Sequence, residues 1–313
     1  MKKLFYFSIF LFMVISVSAQ SDTLKNERKL PTLNGHAFPS VALTENSFVA
    51  TSLQADLGFG KTSPLRIGGI KIGDHEIFSF EGQLLFLSME VRYQQRFNPW
   101  LAMYMSFTMA GRLGTDMSMI FADGVNTIAG GDIGWLIRIK QTRKFNLSTK
   151  LFIQNLSGNF INVRKYFEDL IDDVPNPQVV NKVPAMNVGI GVQGAYAFNP
   201  MFGLQFHIKY AYGEAFDREN TSGYIAGGLL GDVDFMPGYD VPIGFVLGYT
   251  LSSAPDILMS EGGYANIIIG KIGYTGSDDF ELGLQYSFYK VNISSVESKP
   301  NISLISLGLK FYF

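Results

Sequence analysis

The sequence contains no cysteine. Disulfides and a lipid-anchored N-terminal cysteine are therefore both excluded. Charged residues are also scarce, at 17%, and the formal net charge is −2. A chain with so little net charge has no strong field to attract nucleic acid or an anionic membrane surface. We expect no nucleic-acid partner.

Catalytic and cofactor motifs are missing as well. The three histidines, His36, His75 and His207, are too widely spaced to suggest a metal site, and none lies beside a candidate nucleophile in a known arrangement. The stretch "GFGKT" at 58–62 resembles a phosphate-binding loop, but position 55 is Ala55 where that loop needs glycine. We therefore predict that the protein is not an enzyme and uses no cofactor or metal.

Only one long apolar run is present, and it lies at the N-terminus. Residues 1–19, "MKKLFYFSIFLFMVISVSA", open with two lysines and end in a small-residue pattern. This order is typical of a secretory signal peptide cleaved before Gln20. An uncleaved anchoring helix is the alternative, but the run is at the short end for a span. We predict export through the inner membrane, with no helical membrane span in the mature chain.

The sequence shows strict alternation of apolar and polar residues instead of helical periodicity. In "VPIGFVLGYTL" at 241–251, apolar side chains occupy every second position, as a strand with one apolar face requires. In "LLFLSMEVRYQQRF" at 84–97, the charges all fall on the other parity. An apolar outer face, a polar inner face and aromatic strand ends are the requirements of a transmembrane β-barrel, in which closure pairs every backbone group.

Short links between these segments set the strand number. Five of them, at 97–100, 141–145, 198–201, 236–240 and 275–279, suit the periplasmic side of a barrel. The resulting strands are 48–59, 83–97, 100–113, 127–140, 145–156, 186–198, 201–213, 222–235, 241–252, 263–275, 279–290 and 301–313. We predict an all-β fold, an antiparallel up-and-down transmembrane β-barrel of about 12 strands over 48–313, with both ends of the barrel chain on the periplasmic side. The stretch 60–82 is where a hairpin could be misassigned.

The chain ends in "SLGLKFYF", with Ser306, Gly308, Phe311 and Phe313 at characteristic spacing. This pattern resembles the β-signal of Gram-negative outer-membrane proteins, which runs from a polar residue through glycine to a terminal aromatic. The resemblance implies that 306–313 is the last strand, that the barrel-assembly machinery recognises it, and that it pairs with the first strand to close the cylinder. It also implies a location in the outer membrane.

Two segments lack the strand period. Residues 20–47 precede the barrel and carry Pro31, Gly35 and Pro39. They are either a periplasmic tail or a plug folded into the lumen, similar to the N-terminal hatch of fatty-acid-transport barrels, although that family's hatch motif is not evident here. Residues 159–177 predict a short helix in an extracellular loop at 158–185. The apolar face of this helix is formed by Val163, Phe167, Leu170 and Ile171. It either packs on the rim or serves as a lid or docking site.

The predicted inner face carries charges of both signs. The candidate lumen residues are Arg92, Arg96, Arg112, Arg138, Glu90, Asp132 and Lys209. One interpretation is that these charges pair across neighbouring strands and hold the wall. The other is that the four arginines form part of a basic constriction that passes or holds anions.

Two function classes agree with these patterns. The first is a passive channel or uptake barrel for small solutes in the outer membrane, with the lipid bilayer and the assembly machinery as further partners. The second is a non-transporting structural or accessory subunit that docks other outer-membrane proteins. The sequence names neither the solute nor the oligomeric state.

The terminal strand generates the first testable prediction. Replacing both Phe311 and Phe313 with serine should leave export intact but leave an unfolded, degraded species in the periplasm, because the strand that closes the barrel has lost its outer face. Cell fractionation and heat-modifiable migration on a gel measure the outcome. Normal heat-modifiable migration of the variant would contradict the assignment.

Overall fold

The structure is a computed structural model that describes residues 30–42, 44–72, 75–113, 124–161, 166, 169–214, 221–253, 264–291 and 301–313. The predicted signal peptide, 1–19, lies outside these residues. Within them, no helix is both long and apolar enough to cross a membrane.

Sixteen strands are assigned in this part of the chain, and twelve of them form one closed sheet. The strands are β1 Thr32–Leu33, β2 His36–Ala37, β3 Ser52–Thr62, β4 Leu65–Ile72, β5 His75–Gly82, β6 Leu85–Asn98, β7 Leu101–Leu113, β8 Gly124–Gln141, β9 Phe145–Ile161, β10 Val180–Ala197, β11 Phe202–Glu214, β12 Thr221–Asp234, β13 Ile243–Ser252, β14 Ala265–Tyr274, β15 Phe280–Val291 and β16 Asn301–Tyr312.

Every neighbouring pair in the closed sheet is antiparallel, and β16 pairs with β3 to complete the cylinder. Around the barrel, the strands follow their order in the chain, but β6 comes directly after β3 because β4 and β5 are not part of the closed sheet. The predicted fold class and the strand number are therefore confirmed. The links β6–β7, β8–β9, β10–β11, β12–β13 and β14–β15 lie at one end, which we call the turn end; the opposite end is the loop end.

The two faces of the wall differ as the alternation predicts. Along β13, buried and exposed residues alternate, and Leu247 is 69% exposed on the outer surface. Along β3, Leu57 is 60% exposed while its neighbour Asp56 is buried. An exposed apolar surface with buried charge behind it is the arrangement that a lipid environment requires. The architecture is that of a transmembrane β-barrel.

The terminal strand shows the same division. Phe311 of β16 and Phe313 directly after it are exposed on the outer surface, whereas Ser306 and Lys310 of β16 are buried inside. Gly308 lies opposite Asp56 of β3, and a Cβ at that position would overlap the Asp56 carboxylate. Glycine at 308 therefore lets the closing strand approach a buried charge on the first strand.

The first barrel strand begins later than predicted. β3 starts at Ser52 rather than at 48, because Phe48 and Val49 are buried among inward-facing residues of other strands. In a strand starting at 48, alternation would place Val49 on the lipid face, on the same parity as Leu57. Phe48 and Val49 belong instead to the segment that precedes the wall.

Strands β9 and β10 are longer than predicted. Val180 pairs with Ile161, whereas pairing of β10 with β11 begins only at Asn187. Among the described residues, the extra part of β10 therefore pairs with a strand on one side only. Pro184 lies in this part, where a residue without a backbone N–H is tolerated.

Three further elements modify the simple barrel. The stretch 60–82 contains β4 and β5, which form a separate two-stranded sheet between β3 and β6. The predicted link 236–240 is a short helix, α1 Met236–Tyr239, closed by Asp240 in the left-handed conformation. In the predicted loop helix, residues 166 and 169–171 are helical, and Leu170 and Ile171 are exposed; the other two members of its predicted apolar face, Val163 and Phe167, lie outside the described residues.

Wall orientation gives the second prediction. Leu247→Arg should block folding into bilayers, because an arginine on the lipid face near mid-membrane costs about 2–4 kcal/mol. The matched inward variant is Thr108→Arg, whose side chain would lie opposite Glu90 of the neighbouring strand. It should fold as the wild type does. Folding into lipid vesicles, followed by heat-modifiable migration, measures both, and the reverse ranking would show that the faces are misassigned.

Candidate functional site

Residues 30–42 and 44–51, which we call the inner segment, lie inside the barrel. Side chains on the inner faces of seven strands, β6, β9, β10, β11, β12, β14 and β15, hydrogen-bond to it. Of the two alternatives for the N-terminal segment, these contacts favour the lumen over a free periplasmic tail. The barrel interior is thus occupied by the protein's own chain.

The inner segment enters at the turn end. Leu30 donates its backbone N–H to Asp278 in the β14–β15 link at 2.8 Å. The small hairpin of β1 and β2 then places His36, which is 0% exposed, against β12 and the β10–β11 link. Its ring contacts the Asp232 carboxylate through Nε2 and the Pro200 carbonyl through Nδ1. Within the described residues, no group of three or more His, Cys, Asp and Glu side chains is placed to hold a metal ion.

Two aromatic side chains anchor the inner segment on small wall residues. Phe38 and Phe48 have ring centroids 5.4 Å apart, and both are buried against Ala195 and Ala197 of β10. The alanines leave room that these rings fill. Aromatic burial of this kind is one of the larger sources of packing energy in a protein interior.

The chain reverses direction at the deepest part of the inner segment. Thr44 donates both its backbone N–H and its hydroxyl to the Val41 carbonyl, which closes a tight turn. Val41 packs in an apolar cluster with Leu230, Val246 and Ile269, which come from three neighbouring strands. The turn therefore reaches well into the lumen before the chain returns to β3 at the turn end.

Glu45, directly after this turn, is the electrostatic centre of the interior. Its carboxylate accepts from Lys150 Nζ at 2.8 Å and lies 3.5 Å from Lys209 Nζ. Arg92 donates to the adjacent Thr44 carbonyl at 3.3 Å. Burial alone raises the pKa of Glu45, but the charges of Lys150, Lys209 and Arg92 together hold that pKa well below its usual range. Glu45 is therefore ionised at neutral pH.

A second set of charges lies on the opposite side of the inner segment. Glu281 accepts from the backbone N–H and the hydroxyl of Ser40, each at 2.8 Å, and from the Tyr312 hydroxyl at 2.6 Å. Lys271 donates to the Ser40 carbonyl, and the Lys310 ammonium lies 5.0 Å from the Tyr312 ring centroid. Tyr312, near the end of the last strand, thus helps to hold the inner segment through Glu281.

Wall amides satisfy much of the backbone of the inner segment. Gln285 accepts from the Ala42 N–H at 3.0 Å and donates to the Ala42 carbonyl at 3.3 Å. Gln94 donates to the Phe48 and Ala50 carbonyls, each at 2.8 Å. Buried backbone groups need such partners, and an irregular segment cannot supply them itself. The inward glutamines therefore provide hydrogen-bond partners for the backbone of the inner segment.

Little free space remains beside Glu45. A cavity of about 20 Å³ is lined by Glu45 together with Arg92, Tyr104, Lys150 and Lys310. That volume is close to the minimum for one water molecule and far below that of a ligand site. A solute cannot bind at this point while the inner segment keeps its position.

The predicted lumen charges fall into two groups. Glu90 pairs with Arg92 at 2.6 Å, Asp132 accepts from Lys150 at 3.1 Å, and Lys209 approaches Glu45. These residues meet at mid-lumen. Pairing within the wall explains only part of this arrangement, because Glu45 of the inner segment supplies a carboxylate for Lys150 and Lys209.

The other predicted arginines lie elsewhere. In the β6–β7 register, Arg112 is opposite Phe86, and Phe86 lies ten positions before Arg96 in β6. At about 3.3 Å per residue, these arginines are roughly 33 Å apart along the strand. Arg138 contacts Gln141 at the turn end. The four arginines, Arg92 included, therefore lie at different heights in the barrel. They do not form the single basic constriction considered in the sequence analysis.

Glu45, His36 and Ser40 are site residues that the sequence patterns do not predict. Their segment lacks a strand period, so no alternation indicates which side chains contact the wall. The available signal was on the wall: inward amides and lysines such as Gln94, Gln285 and Lys150 are more polar than a water-free lumen would accept without partners.

Comparisons with known proteins identify no family for this chain. No family model matches it, and no curated protein matches it. Among solved structures, the NanC porin aligns with a TM-score of 0.46 and 10% identity over 83% of this chain and 100% of that one. A FadL homologue of Pseudomonas aeruginosa gives 0.44 and 10% over 84% and 90%. The toluene transporter TodX of Pseudomonas putida gives 0.43 and 10% over 84% and 89%. These similarities are too low to transfer a solute or a mechanism to this chain.

The mid-lumen charges give the third prediction. Lys150→Met should lower the free energy of unfolding by about 3 kcal/mol, because Glu45 and Asp132 would lose a shared cation while remaining largely buried. Urea titration of the protein folded in vesicles measures the change. The control is Lys61→Met, whose side chain is exposed, and it should change stability by no more than about 0.5 kcal/mol. Equal effects of the two variants would contradict a special role for Lys150.

Proposed function

We propose that this protein is a solute channel of the outer membrane whose lumen is held closed by the inner segment. The turn end faces the periplasm, as short links do in outer-membrane barrels. The observation that carries the proposal is the contact of the inner segment with side chains on seven wall strands, from the turn end to mid-lumen. A barrel that served only as a scaffold has no need for a fitted and separable chain inside it.

The way the inner segment is held supports reversible closure. Its hydrogen bonds to the wall run mainly through wall side chains, such as Gln94, Gln193 and Gln285. The backbone ladder of the wall, in contrast, is complete from β3 around to β16. Because the ladder does not depend on residues 30–51, the inner segment can move without opening the sheet.

An open lumen would favour anions. Without Glu45, the three cations of Arg92, Lys150 and Lys209 keep two carboxylates in direct ion pairs, those of Glu90 and Asp132. Ions passing within a Debye length of about 8 Å respond to these nearest charges rather than to the net charge of the chain. The channel should therefore pass small anions better than cations.

Deleting residues 20–50 tests the proposal. The truncated barrel, which keeps all twelve wall strands, should conduct ions in planar bilayers with a preference for anions, while the full-length protein conducts little. A second variant, Phe38→Ala combined with Phe48→Ala, keeps the chain length but removes the aromatic anchor. It should show an intermediate frequency of open events.

Two results would reject closure by the inner segment. If the full-length protein conducts as much as the truncated one, the channel is open without any gate. If neither conducts, and crosslinking instead finds stable partners at 158–185, an accessory role in an outer-membrane complex replaces transport. The double variant separates these cases from misfolding, since its wall sequence is unchanged.

A further inference from the structure

The carboxylate of Glu45 is held as a bound anion would be held. Lys150 approaches one of its oxygens at 2.8 Å and Lys209 approaches the other at 3.5 Å. The two lysines come from β9 and β11, which β10 separates, whereas Glu45 comes from a segment outside the wall. The cations are thus fixed by the barrel, and their partner is the removable part.

The charges at mid-lumen balance when one negative charge occupies the position of the Glu45 carboxylate. Three cations are present at mid-lumen, those of Arg92, Lys150 and Lys209. They face three carboxylates, those of Glu45, Glu90 and Asp132. Two further acidic side chains, Asp56 and Glu281, lie near two further lysines, Lys271 and Lys310. Withdrawal of Glu45 therefore leaves one surplus positive charge, which a single carboxylate would neutralise.

The surface beside this position is apolar and aromatic. Tyr104, Phe152, Ala211 and Tyr224 form one cluster, and the Lys150 ammonium lies 4.1 Å from the Tyr104 ring centroid. Phe152 and Ala211 each come two residues after a lysine of the site, on the side of the loop end. An anion arriving from the loop end would therefore pass the aromatic cluster before it reaches the lysines.

We propose that Lys150, Lys209 and Arg92 form a binding site for monocarboxylate solutes with an apolar body, and that Glu45 occupies this site in the closed barrel. A solute that enters from the loop end places its carboxylate between the two lysines and its body against Tyr104 and Phe152. Glu45 then leaves the site and the inner segment is released. The direction of entry and the release rest on the proposed channel function; the binding site does not.

Benzoate binding to Glu45→Ala tests the site. The variant removes the competing carboxylate and its volume, so it should bind benzoate about tenfold more tightly than the wild type, a factor equivalent to one charge-assisted hydrogen bond. Titration calorimetry of the folded full-length protein in detergent measures the affinity. Benzamide, which is similar in shape but neutral, should bind equally weakly to both proteins.

Two control variants define the site. Asn46→Ala truncates the neighbouring residue, whose side chain accepts from the Phe48 N–H instead of contacting the lysines; its benzoate affinity should equal that of the wild type. Adding Lys209→Gln to Glu45→Ala should remove the gain. A tighter affinity in Asn46→Ala, or no gain in folded Glu45→Ala, overturns the proposal.

A measurement on the wild type covers the case in which Glu45→Ala does not fold. Saturating benzoate should increase hydrogen–deuterium exchange in residues 38–50, and benzamide should not, because only the anion competes with Glu45. Unchanged exchange overturns the proposal. Benzoate binding to Glu45→Ala without ion conductance by the truncated barrel would leave the site valid and reject the channel, whereas conductance without benzoate binding would do the opposite.

Discussion

Closure of the sheet by β16 and β3 is the constraint on which the rest of the structure depends. In lipid, an unpaired backbone N–H or C=O costs several kcal/mol, so a barrel must leave no open edge. Pairing from Ser52 opposite Tyr312 to Thr62 opposite Ile302 removes that edge. It also fixes which parity faces outward, because a shift of one residue would turn Phe311 inward and Lys310 into lipid. The interior composition is therefore a consequence of the closing register.

The interior that results is narrow and polar, and this explains why another piece of chain lies within it. Lys150, Lys209 and Gln94 point inward, away from both lipid and bulk water, and each needs a partner. The inner segment supplies them: the Glu45 carboxylate for the lysines, and the Phe48 and Ala50 carbonyls for Gln94. The same contacts satisfy the irregular backbone of the inner segment. The wall and the inner segment therefore each supply hydrogen-bond or ion-pair partners for the buried polar groups of the other.

The wall could be predicted from the sequence because lipid imposes a period of two on every strand. Leu247 and Phe311 are outward in the structure as the alternation requires. The interior could not be predicted in this way, because it follows shape and pairing instead of a period. Val49 illustrates the difference: its parity matched the lipid-facing residues of the predicted strand, yet it is buried with Ala102 and Leu136. For Glu45, local sequence contains no sign of Lys150, which is 105 residues away along the chain.

If the inner segment closes the lumen as proposed, the energetics of this arrangement make opening depend on the solute. Removing Glu45 from Lys150 and Lys209 without replacement leaves a partly buried charge unpaired, at a cost of about 3–5 kcal/mol. Each 1.4 kcal/mol changes an equilibrium about tenfold, so spontaneous release would be rare, on the order of one molecule in a thousand. A solute carboxylate that takes the place of Glu45 offsets that cost, whereas a neutral solute does not. Selectivity and opening would then depend on the same charge.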